Sequence, residues 1–208
     1  MITSDSYDLI RLNNKIYPTV NFLVHVNKNL ISIAENPTTS PGVRYEAILE
    51  HLIEKLKYNG GDSLDLVTEV FFTIACNHPF LDGNKRTAYI SSVFLLLMNL
   101  EFKNLHLSEH KAITPQGETI KALAQWGESY LSGLETEYDK DLIRIMREYD
   151  EFKNVESPLS EETVKKFIKL QLLITYAHTL QNLKHKKGII LKTVIDSNKD
   201  VINYLEKV

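Results

Sequence analysis

Apolar residues recur along this chain at helical rather than alternating spacing. Between positions 46 and 58, Ile48, Leu49, Leu52, Ile53 and Leu56 follow i, i+3, i+4 steps, while Glu50, Glu54, Lys55 and Lys57 take the opposite face. That pattern predicts an amphipathic helix lying on a core. The same spacing predicts helices over 7–17, 20–35, 64–76, 86–100, 118–130, 140–152, 161–183 and 189–205. Breaks between them carry turn and cap chemistry: Asn-Pro-Thr-Thr-Ser-Pro-Gly at 36–42, Asn-Gly-Gly-Asp-Ser at 59–63, and Ser-Pro-Leu-Ser at 157–160 ahead of Glu161 and Glu162. No strand-like alternation of useful length and no repeat interrupts this, so an all-α fold is expected.

Two of the predicted helices differ from the rest in being apolar on every side. The first carries Leu66, Val67, Val70, Phe71, Phe72, Ile74 and Ala75; the second carries Ala88, Ile90, Val93, Phe94, Leu95, Leu96, Leu97 and Met98. Helices of this kind lie at the centre of a fold. Between them stands Asn77-His-Pro-Phe-Leu-Asp-Gly-Asn-Lys-Arg-Thr-Ala88, a polar loop held where two core helices meet.

The loop's chemistry suits a phosphate-bearing ligand. The second helix begins near Asn84 to Arg86, where unpaired backbone N–H groups and the positive end of the helix dipole attract anions. Gly83 lets the backbone approach a ligand closely, and Lys85 and Arg86 add positive charge. Asp82 is placed to hold Mg²⁺, which is usually bound by one or two carboxylates together with phosphate. His78, with an unperturbed pKa of about 6.5, is suited to take a proton from an attacking hydroxyl. Phe80 has no chemistry to offer and is expected to anchor the loop in the core. Each residue alone also fits a structural role as cap, turn or solvated charge; the case rests on their occurring together. The i, i+4 spacing of His78 and Asp82 would also suit a metal hydrolase, but Pro79 and Gly83 break the helix that reading needs, and no second acidic or histidine cluster matches it.

Totals narrow the picture further. At 208 residues the chain fits one domain, or one domain with an appendage. A net charge of −3 gives no polyanion footprint, so direct nucleic-acid binding is not expected. Cys76 has no second cysteine to pair with and fits a reducing compartment. The longest apolar run, 93–98 with neighbours to Leu100, falls short of the roughly 20 residues a membrane helix needs. Residues 1–18 lack the basic stretch and apolar block of a leader. A cytoplasmic protein without membrane attachment is the expectation.

His78-Pro-Phe-Leu-Asp-Gly-Asn-Lys-Arg86 resembles the signature of the Fic/Doc (Fido) family, H-P-F-x-[D/E]-G-N-x-R, at every specified position. Upstream, Pro41, Gly42, Val43 and Arg44 resemble the stretch leading into the family's target-docking flap, and the likeness runs over about 7–148. The resemblance implies a helical Fido fold with a short flap hairpin: a catalytic domain over 1–150 and a helical C-terminal extension over 151–208 whose role it leaves open. It implies ATP and Mg²⁺ as cofactors, His78 as general base, Asp82 as metal ligand, Arg86 in catalysis, and Gly83, Asn84, Lys85 and Arg86 around the phosphates. Residues 41–45 would register an extended target segment by main-chain pairing.

Family members that transfer AMP usually carry Gly after the motif's Asn and a second Arg three positions after the first. Here Lys85 and Tyr89 stand at those places. Both departures resemble the Doc (death-on-curing) branch, whose best-known member moves the γ-phosphate of ATP onto a threonine of elongation factor Tu. The resemblance therefore implies a protein Ser/Thr kinase acting as the toxin of a toxin–antitoxin pair. The alternatives are an adenylyltransferase acting on a Ser, Thr or Tyr hydroxyl and a non-catalytic binding module of the same fold. Many relatives carry an inhibitory helix with [S/T]-x-x-x-E-[G/N]. Glu35-Asn36 approaches that pattern, with Ile31 where Ser or Thr would stand, and otherwise a separate antitoxin would supply restraint. In the tail, Phe167, Leu170, Leu172, Leu173 and Tyr176 sit on one helix, His178 is expected in the core or on the surface, and the basic run 184–188 is expected to cap the helix end. Whether the tail covers the domain, forms a homo-oligomer or binds a target stays open.

Overall fold

The helix that the sequence makes apolar on all sides is the one the fold surrounds. In a computed structural model, which describes residues 8–34, 40–58, 61–99, 114, 116–133, 139–183 and 191–208, α4 (Asn84–Asn99) is buried at every position from Arg86 to Met98. Around it lie α1 (Val20–Ser32), α3 (Ser63–Asn77), α5 (Gln116–Leu131), α7 (Glu161–Leu183), α8 (Leu191–Ser197) and α9 (Lys199–Glu206). Helix α2 (Glu46–Tyr58) packs on α3, and α6 (Asp139–Met146) packs on α5. One hydrophobic cluster runs from Ile16 to Leu205 without a break between the N-terminal helices and α7 to α9. The expected all-α architecture holds. Among the described residues no helix is long and apolar enough to cross a membrane.

Local chemistry explains the main boundaries. Thr19 caps α1 by accepting from the Phe22 amide at 3.1 Å, and Asp62 and Asp65 form a reciprocal capping box at the start of α3. Such caps satisfy N–H groups that have no acceptor inside the helix.

Three expected helices are corrected. Over 7–17 the described residues form a hairpin, β1 (Leu9–Leu12) paired antiparallel with β2 (Lys15–Pro18). Asn13 and Asn14 both adopt positive φ, 48° and 61°, the two-residue turn whose twist matches paired strands and which Asn tolerates better than most residues. Asn99, at the end of α4, clamps β2 by accepting from the Ile16 amide at 2.7 Å and donating to its carbonyl at 2.8 Å. The helix expected over 140–152 stops at Met146 and resumes as a 3-10 turn at Asp150–Phe152. That over 189–205 is two helices divided at Asn198, whose side chain donates to the Val194 carbonyl and accepts from Tyr89.

The flap stretch forms no hairpin of its own within 40–45. It pairs instead with the polar loop: Val43 bridges Phe80, the Arg44 and Tyr45 amides donate to the Pro79 carbonyl at 2.7 and 3.1 Å, and the Leu81 amide donates to the Gly42 carbonyl at 3.0 Å. In α7, Phe167, Leu170, Leu172 and Tyr176 are buried in the core, while His178 is exposed. Glu35-Asn36 and the basic run 184–188 lie outside the described residues.

Candidate active site

Helix α3 ends where Pro79 makes further helix unfavourable for the residue before it. His78 takes a left-handed conformation there, φ 47° and ψ 57°, which turns the chain sharply out of the helix. The loop that follows is fastened from several directions. Phe80 is only 1% exposed and anchors it in the core, as expected. Asn84 closes it by accepting from the Phe80 amide and donating to the Phe80 carbonyl, both at 2.9 Å. Asn27, buried on α1, donates to the Asp82 carbonyl at 2.8 Å and to the Thr87 hydroxyl at 3.0 Å.

Gly83 is required twice over. Its φ is +74°, and a Cβ there would lie 3.0 Å from Ile31 Cδ1 and 3.2 Å from Asn27 Nδ2. With the backbone drawn in this closely, the first turn of α4 faces a pocket of about 220 Å³. His78, Asp82, Gly83, Asn84, Lys85 and Arg86 line it, so the expected loop residues converge on one cavity. With its amide committed to Phe80, Asn84 brings its helix-start backbone to the pocket.

The pocket is electrically uneven. Arg86 is 4% exposed; its Nη2 reaches Asp82 Oδ1 at 3.4 Å, and its Nη1 is buried without a hydrogen-bond partner. Burial lowers the pKa of Lys85, with Lys121 adding to the effect and Glu128 opposing it. Burial likewise holds His78 below the ordinary histidine value, opposed by the Glu128 carboxylate and the Ala75 carbonyl and helped by Lys85 and Arg44. The ring's Nδ1 stands 2.8 Å from Glu128 Oε1, and its Nε2 is buried without a partner. A neutral imidazole with a vacant Nε2 next to cationic groups is equipped to receive a proton from a hydroxyl approaching an anion.

Helix α9 closes the pocket's far wall with Leu205 and Glu206, and Val208 follows it. Glu206 Oε2 lies 4.0 Å from Arg86 Nη1, and Lys85 Nζ donates to the Val208 carbonyl at 3.2 Å. Sequence reading passed over Glu206 because Ile202 and Lys207 stand where the inhibitory pattern calls for Ser or Thr and Gly or Asn. Asn27 and Glu128 were missed as well, since each comes to the loop from a distant helix and carries no local motif. Tyr89 points away from the pocket: it is 2% exposed, its hydroxyl donates to Asn198 Oδ1 at 2.8 Å, and burial raises its pKa.

The Fic/DOC family model matches residues 5–96. That segment spans the N-terminal hairpin, α1 to α3, the polar loop and most of α4, and over it the chain is similar to the Fic/DOC family. The match ends before α5, short of the 7–148 expected from the residues, and does not separate one branch of the family from another. No curated protein and no solved structure matches the chain.

Proposed function

We propose that this protein is a kinase that transfers the γ-phosphate of ATP to a Ser or Thr hydroxyl of a target protein. Transfer of a nucleotide or phosphate to proteins is the general activity of the family. The observation that carries the reading is the convergence, on one pocket, of His78, Arg86 and the partly buried Lys85, with His78 Nε2 and Arg86 Nη1 both lacking a hydrogen-bond partner. Phosphoryl transfer asks mainly for positioning and charge stabilisation, which these groups supply.

In this reading Arg86, Lys85 and the first backbone N–H groups of α4 bind the phosphate oxygens. The target oxygen attacks the γ-phosphorus, its proton passes to His78 Nε2, and ADP leaves with the bridging oxygen. The donor set suits Mg²⁺ only in company with phosphate: Asp82 supplies a carboxylate, and no group of three metal-binding side chains occurs among the described residues. Bound there, Mg²⁺ would neutralise phosphate charge. The 41–45 stretch, already paired with the loop, would in this reading register an extended target segment. The catalytic unit is residues 1–150, and 151–208 form an extension that completes the core and walls the pocket.

Lys85 and Tyr89 favour the kinase over an adenylyltransferase. The lysine projects into the pocket where the AMP-transferring pattern has glycine, and Tyr89 is turned into the core where that pattern has a second arginine. At about 220 Å³ the pocket is smaller than the roughly 300–1,000 Å³ usual for ligand sites, because the α9 end fills part of it. ATP must therefore displace the carboxylate of Glu206 from Arg86. Restraint supplied by the chain itself would lessen the need for the separate antitoxin implied by the Doc likeness, and the elongation factor Tu type of target keeps its place in the proposal.

The test is label transfer from ATP labelled at the α- or the γ-phosphate onto proteins of a bacterial lysate with Mg²⁺, with His78→Ala as control. Label from the γ-position alone, lost in the variant, is expected. Label from the α-position would make the protein an adenylyltransferase, and no label from either would favour a binding module.

A further inference from the structure

Helices α3 and α5 touch at a point that only glycine permits. A Cβ on Gly127 would fall 2.1 Å from Cys76 Sγ and 3.1 Å from the Cys76 Cα, which belongs to the backbone and has little room to move. The next residue on α5, Glu128, is thereby carried to the end of α3, where its Oε1 stands 2.8 Å from His78 Nδ1. Glu128 is half-exposed, so water competes for this pair and it contributes little to stability. Its consequence lies in the ring. A neutral imidazole has one N–H and one lone pair, and a carboxylate beside Nδ1 draws the proton to that nitrogen. The lone pair is then left on Nε2, the nitrogen that is buried and has no partner.

We infer that Glu128 is a positioning residue for His78: it fixes the ring's orientation and its Nδ1–H tautomer, so that Nε2 is the proton acceptor. The inference rests on the proposed transferase reading. Other groups around the ring agree with a neutral histidine in this state. Burial disfavours a charged ring, and Lys85 on α4 and Arg44 before α2 add to this, while the Ala75 carbonyl on α3 works with Glu128 in the opposite sense. Glu128 thus orients the base without protonating it, because burial, helped by the two cations, opposes the carboxylate.

The deciding experiment records the ring nitrogen signals of His78 in the ¹⁵N-labelled full chain at pH 8, assigned by their loss in His78→Ala. Wild type is expected to carry its proton on Nδ1. Glu128→Ala is expected to move the population towards Nε2–H and to lower kcat for transfer by roughly 10- to 100-fold, with KM for ATP and the melting temperature unchanged. Glu128→Gln, which keeps an acceptor oxygen, should restore both the tautomer and part of kcat. A proton on Nε2 in wild type, or a tautomer unmoved in Glu128→Ala, overturns the inference. Because the signals are read without turnover, a protein that transfers nothing from ATP would sink the transferase reading while leaving the test of Glu128 intact.

Discussion

Two charged clusters flank α3, and they are built on opposite principles. On one side Glu69 is gripped by Lys55 of α2 and by Lys165 of α7 at 2.7 Å, Lys165 also meets Glu161 at 2.7 Å, and Asp65 pairs with Lys169. Lys165 further lies 4.6 Å over the Phe72 ring. Here the acids and bases answer one another, and the cluster ties three helices together. At the other end of α3, His78 and Arg86 each keep a buried nitrogen without a hydrogen-bond partner. Leaving a buried polar atom unsatisfied costs about 1–3 kcal/mol, so these two atoms are ones that water or a ligand would complete. Charge density does not distinguish the two clusters. Satisfaction of each polar atom does.

The sharpest way to break that contrast is His78→Ala. Transfer is expected to fall by roughly 10²- to 10⁴-fold, with thermal unfolding almost unchanged. In the intact protein kcat/KM should rise with pH as His78 loses its proton, with a midpoint below 6.5, because burial holds the ring neutral. A profile that falls over that range would remove His78 from the role of base.

The converse change is Glu69→Gln in the closed cluster. It should cost about 2 kcal/mol in denaturant unfolding and leave transfer at the wild-type rate. Although burial works against ionisation, hydrogen bonds from Lys165 and Lys55 hold the Glu69 pKa below 4.5. A depressed folded-state pKa stabilises above the unfolded value, so the gap between wild type and variant should be full above about pH 4.5 and shrink as pH falls through the folded pKa. A gap that persists undiminished at low pH would show that packing, not charge, is what Glu69 contributes.

Glu206→Gln joins the two regions, since it removes the acid that α9 sets beside Arg86. Transfer at subsaturating ATP is expected to rise about 5-fold, which corresponds to about 1 kcal/mol. An ATP titration unaffected by the change would detach α9 from the pocket's chemistry. Smallest of all, Tyr89→Phe should cost about 1 kcal/mol by leaving buried Asn198 short of a donor, without altering the choice between α- and γ-label. An altered choice would mean that position 89 speaks to the nucleotide after all.

Much of this was legible from local pattern. The i, i+3, i+4 spacing over 46–58 yields α2 at its observed bounds, and the all-round apolarity of 88–98 marks the central helix. The hairpin was hidden because Leu9, Ile10, Ile16 and Tyr17 are apolar at spacings either structure accepts, and only the Asn13-Asn14 turn decides between them. Likewise the loop residues announce themselves as a cluster, and their convergence on one pocket follows from a glycine and a helix start within the same short stretch.

The sequence by itself determined which side chains stand at the loop, that the helices beside it lie in the core, and that the chain is helical, because each of these depends on neighbours within a few residues. Only the tertiary structure decided who else comes to the site. Asn27, Glu128 and Glu206 arrive on three different helices, and what brings them there is side-chain packing at long sequence separation, as where Gly127 admits Cys76. Tyr89 makes the same point in reverse: its place in the motif, one turn on from Arg86, suggests the pocket, and the packing of the tail against α4 instead gives its hydroxyl to Asn198.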